Sequence, residues 1–120
     1  MKFLSATAVV LLLLAPAAAA ARAPACDVTV TFSSLAMGID TGAFARVERY
    51  VARHRRLVSA ATTTAWGHEG ERTLCLTTPS RRAATTVFRD IRDLVGKGRR
   101  GPVEVRTLDG RVWQSRPNAR

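Results

Sequence analysis

Metal and nucleophile chemistry have little to draw on in this chain. It holds two cysteines and two histidines among 120 residues, and no C-x-x-C, H-x-x-x-H or H-E-x-x-H spacing occurs. No G-x-S-x-G elbow surrounds Ser33 or Ser34. Asparagine occurs once, at Asn118, and aromatic residues make up only 6%. These absences argue against a zinc finger, a zincin helix and a hydrolase elbow. No cofactor, no metal and no catalytic residue is expected.

Acidic residues are also few, 9 against 19 lysines and arginines, for a formal net charge of +10. Such an excess invites an anionic partner. Nearly all of it is arginine in an alanine-rich chain, which GC-rich coding produces without selection for binding. Export would also keep the protein away from most nucleic acid, so no nucleic-acid partner is expected.

Export is read from the first 25 residues. Lys2 supplies a positive start, "AVVLLLLA" (Ala8 to Ala15) an apolar segment, and the alanine run after Pro16 several A-x-A cleavage sites, near residue 21 or 25. The apolar segment falls far short of the roughly 20 residues a spanning helix needs. Residues 1–25 therefore read as a signal peptide, 26–114 as a single small α/β sandwich domain, and 115–120 as a disordered tail. No stable membrane span is expected after cleavage, and the location is periplasmic or secreted in a bacterium.

Within the domain, "CDVTVTFSS" alternates apolar and polar residues, as a half-buried strand does. Asp40 or Thr41 then begins a helix running to about His54, with Phe44, Val47 and Val51 inward. Leu57–Trp66 and Glu71–Thr78 read as strands around the "GHEG" turn. Thr78 followed by Pro79 fits the start of a second helix, and Ala84, Val87, Phe88, Ile91, Leu94 and Val95 recur at helical spacing up to Gly96. Pro102–Leu108 and Arg111–Gln114 flank "DG", a hairpin signal. The order predicts an α+β fold: a ferredoxin-like βαββαβ antiparallel sheet with two helices on one face and a short C-terminal hairpin strand.

That topology sets the start of the first strand beside the end of the third. Cys26 and Cys75 are then expected to form a disulfide in an oxidising compartment. Closing a loop of about 50 residues would contribute about 4 kcal/mol in the chain-entropy model. Alternation places Cys26 on the Val28 face and Cys75 on the Thr73 face, so a turn or bulge must reconcile them. The "APAC" stretch resembles a bacterial lipobox only in part, with Ala23 where leucine is usual and Pro24 out of place, which leaves a lipidated Cys26 as the lesser reading.

His68 precedes Cys75 by seven residues, roughly 20 Å along an extended strand, too far to share a metal ion. Copper-carrying ferredoxin-like domains have M-x-C-x-x-C after their first strand; here that loop has Met37 and no cysteine. Acylphosphatases share the arrangement and use a loop arginine with a strand asparagine; Arg46 has no such asparagine beside it. RNA-recognition domains need stacking aromatics where this chain has Thr29, Thr31, Thr73 and Thr77.

Two surfaces remain. Met37, Trp66, His68 and Glu69, joined by Lys97, Arg99 and Arg100, gather at one end of the sheet, with Trp66 expected over the core edge. Arg53, Arg55, Arg56, Arg81 and Arg82 gather at the other as possible anion contacts. The expectation is a small non-enzymatic, inhibitor-like or protein-interaction module, binding a protein partner or a second copy through the open sheet face. One alternative is a ligand-binding protein or enzyme using the Met37/His68 end. Another is a binder of anionic envelope polymers or membrane.

Overall fold

The computed structural model describes residues 25–96 and 100–115. The expected signal segment before Ala25, the rim residues Lys97 and Arg99, and the tail beyond Ser115 lie outside the described residues.

The alternating segment forms β1 (Val28–Phe32), and Val28, Val30 and Phe32 are completely buried. Asp40 then caps helix α1 (Thr41–Arg53), its carboxylate accepting the Ala43 N–H at 3.0 Å. This supplies one of the donors a helix start leaves unpaired. Strands β2 (Ala60–Ala65) and β3 (Arg72–Thr77) follow as a hairpin. Helix α2 (Arg81–Val95) is capped by Ser80, whose Oγ accepts the Ala83 N–H at 3.0 Å. The start expected at Thr78 falls two residues later: the Thr78 hydroxyl donates to the Ser80 carbonyl at 3.2 Å, leaving Ser80 to cap the helix. β4 (Val103–Thr107) and β5 (Val112–Gln114) close the chain around Asp109 and Gly110.

The fold is α+β: five antiparallel strands and two helices, in the order β2-β3-β1-β4-β5. The expected short C-terminal hairpin strand is β5, the outermost strand beside β4. Ser115, expected in the tail, is buried and ties β5 to β4. Its N–H donates to the Val103 carbonyl at 2.9 Å and its Oγ accepts the Val103 N–H at 2.8 Å.

The core lies between the helices and one sheet face. Val47, Val87, Ile91 and Val95 pack on Val28, Val30, Phe32, Leu76, Val103 and Val105. Phe32 and Phe44 meet edge to face, with centroids 5.2 Å apart. Val58 joins the core from the turn after α1, where its N–H bonds the His54 carbonyl. That turn delays the second strand to Ala60. Gly96 ends α2 in right-handed conformation; Trp113 and the Arg92 carbonyl leave little room there for a side chain.

Candidate functional site

The sheet face away from the helices carries no other layer of the described chain. Alternation sends Thr29 and Thr31 of β1, Thr73, Cys75 and Thr77 of β3, and Thr62 and Thr64 of β2 onto it. The pairs Thr29↔Cys75, Thr62↔Cys75, Thr64↔Thr73 and Thr31↔Thr73 make this a continuous threonine field around one cysteine.

Cys26 and Cys75 form a disulfide, their Cα atoms 5.1 Å apart. The chain bends at Asp27, immediately before β1, and this takes Cys26 out of strand alternation and over the open face. Asp27 is held on three sides. Its N–H bonds the Leu76 carbonyl, its carbonyl accepts the Leu108 N–H, and its carboxylate accepts the Thr78 N–H. The turn anticipated from the sequence is therefore a bend pinned to β3 and to the β4–β5 connection.

Trp66 lies on this face as well, and not over the core edge as expected. It follows β2 at an even-numbered position, its indole N–H donates to Thr73 Oγ1 at 3.0 Å, and it stays 43% exposed. At the opposite margin, Glu104 accepts Gln114 Nε2 at 2.7 Å and meets Arg106 Nη2 at 3.1 Å. The Gln114 bond, followed by Arg106, holds the Glu104 carboxyl below its ordinary range. This polar trio has no counterpart among the expected site residues. Its signal is the hairpin register, which opposes Glu104 to Gln114 and Arg106 to Val112 across the Asp109–Gly110 turn.

The Met37 end assembles from three loops. Ser34 Oγ hydrogen-bonds Glu69 and accepts the Gly38 N–H at 2.9 Å, while Glu71 Oε2 accepts the Glu69 N–H at 2.8 Å. Gly101 presses against this loop: at φ +65°, a Cβ there would lie 2.5 Å from the Ser33 carbonyl oxygen. Met37 is 88% exposed, and His68 and Glu69 are exposed beside it.

At the other end Arg53, Arg55 and Arg56 leave α1 exposed, while Arg81 and Arg82 open α2. Arg81 shares a surface cleft with Asp27 and Asp109, so two carboxylates offset it. Thr107, then the neighbouring arginines, hold the Asp109 carboxyl low. A second groove is lined by Arg46, Arg49, Tyr50, Arg53, His54 and Leu94, with the His54 ring stacked on Tyr50.

Among the described residues, no three His, Cys, Asp or Glu side chains cluster in a way that would hold a metal ion. No described helix is long and apolar enough to cross a membrane. Comparison with family models, curated proteins and solved structures returns no match.

Proposed function

We propose that this chain is an exported, non-enzymatic module that binds another protein through the open face of a ferredoxin-like sheet extended by β5. The observation that carries this reading is the face itself. Six threonines in register, a partly exposed indole and a disulfide form a neutral patch with no covering layer, bounded on β4 by the Glu104–Arg106 ion pair. Threonines on a sheet lose little freedom when covered, because β-branching already restricts them. A tryptophan with its N–H satisfied offers apolar area at low entropic cost. The disulfide fits an oxidising compartment.

The test is photo-crosslinking in the producing cell. A reactive residue at Thr31 or Thr64 should capture one defined partner, whereas one at Glu48, on the helical side, should not. Capture only from Glu48, or from neither side, would defeat the reading.

A second reading rests on the arginine groove of α1. Arg46, Arg49 and Arg53 stand together there, and the described ion pairs join other residues, Arg89–Asp90, Arg92–Asp93 and Arg106–Glu104. It predicts retention on anionic vesicles that salt abolishes, since exposed charges are screened beyond about 10 Å at 0.1 M salt. The Met37/His68 end gains less support, because neither side chain is screened from the water that weakens electrostatic catalysis.

A further inference from the structure

The two edges of the sheet differ. At one, β5 is three residues long; at the other, β2 is six residues long and exposed throughout. Short strands, prolines, lysines and inward charges are the usual protection of an edge. β2 reads Ala-Ala-Thr-Thr-Thr-Ala and has none of them.

Its hydrogen-bonding phase follows from the hairpin. The Trp66 N–H donates to the Glu71 carbonyl at 2.9 Å, so that pair is a hydrogen-bonded one. Counting back along the ladder, Thr64↔Thr73, Thr62↔Cys75 and Ala60↔Thr77 are bonded pairs as well. Ala61, Thr63 and Ala65 therefore turn their N–H and C=O groups outward.

We infer that β2 pairs antiparallel with β2 of a second copy of this chain, about a two-fold axis through Thr63 normal to the sheet. That axis is the one that keeps both open faces on the same side. It opposes Thr63 to Thr63 of the second copy and Ala61 to its Ala65, which matches every outward donor with an outward acceptor. Thr62 then meets Thr64 of the second copy on the open face, only alanine and threonine oppose one another between Ala61 and Ala65, and Ala60 faces Trp66 of the second copy at each end of the seam.

Charge selects this partner. The chain entering β2 carries Arg55 and Arg56, and the turn leaving it carries Glu69 and Glu71. Two-fold antiparallel pairing sets the basic end of each copy against the acidic end of the other, twice. A parallel pair would set like ends together. The result is a ten-strand sheet with one continuous open face; the seam uses the β2 edge, a different surface from the face proposed above for a protein partner.

The test uses the oxidised protein in the form the cell delivers, over a concentration series. Light scattering should show a monomer–dimer equilibrium, and amide exchange by NMR should show protection of Ala61, Thr63 and Ala65 rising with concentration. Ala60, Thr62 and Thr64 should be protected at every concentration. Thr63→Lys, an exposed change at the seam, should weaken dimerisation at least tenfold while leaving the amide spectrum folded; Arg56→Glu should weaken it less. A chain still monomeric at about 1 mM would overturn the inference. So would a dimer in which those three amides exchange as in the monomer, or one that Thr63→Lys leaves unchanged.

Discussion

The Tyr50 hydroxyl donates to Asp90 Oδ2 at 2.7 Å and, with Arg46 Nε donating to the Leu94 carbonyl at 3.3 Å, joins α1 to α2. Burial, reinforced by that bond, raises the phenol well above its ordinary range. The folded chain therefore holds this proton more tightly than the unfolded chain. Its contribution is complete below about pH 10, the ordinary phenol value, and is lost as pH rises through the folded value. Since Tyr50 is the only tyrosine, phenolate absorbance reports it alone. Phenolate should appear at higher pH in the native protein than in urea. Tyr50→Phe should cost about 1 kcal/mol at neutral pH and flatten the alkaline loss of stability above about pH 10.

Removing the disulfide acts mainly on the unfolded chain. With cysteines 49 residues apart, Cys26→Ser with Cys75→Ser should lower stability by about 4 kcal/mol in the chain-entropy model. Urea unfolding of the double variant beside the parent measures it. A loss under about 1 kcal/mol would mean that the reduced chain is already restrained in its unfolded state.

Two glycines separate backbone strain from collision. Gly101 and Gly110 both have positive φ, +65° and +98°, but only at Gly101 would a Cβ strike backbone, the Ser33 carbonyl oxygen. Gly110→Ala should cost about 1 kcal/mol, the conformational penalty alone. Gly101→Ala should cost clearly more and disturb the amide shifts of Ser34 and Gly38. Equal melting temperatures for the two variants would refute the distinction.

Ile91 is fully buried on α2 among side chains of the sheet. Ile91→Ala should cost 2 to 5 kcal/mol, about the range for deleting a core isoleucine. Val112→Ala, at an exposed edge position, should change the urea midpoint by less than about 0.5 kcal/mol equivalent.

Legibility followed the range of the interactions. β1 and α2 are readable because alternation and three-four spacing are set by residues within each element, and Asp40 caps α1 through its own neighbour Ala43. The start of α2 is not readable, because Thr78 and Ser80 are both good caps two residues apart and only the fold shows Ser80 taking the Ala83 N–H. Leu57 and Val58 look like strand residues, yet their N–H groups close a turn on His54. The disulfide is foreseeable from topology, whereas the bend that enables it depends on Leu76, Leu108 and Thr78 together. At the proposed site the threonines are legible from parity. Trp66 belongs with them by the same count, but its apolar bulk suggests the core instead. The Glu104–Gln114 contact needs the hairpin register, which "DG" implies without stating which residues pair.

The Cys26–Cys75 bridge crosses the uncovered side of the sheet, half-buried among threonines. A small thiol in solution can therefore approach it from the same direction as any protein that docks there. Reduction by thiolate attack depends on such access, so the bridge is a built-in footprinting probe. The rate at which the native bond opens in dilute reductant should fall when the face is occupied and recover when it is freed. Occupancy could thus be followed in a crude extract by mass alone, with no label and before the partner has been identified.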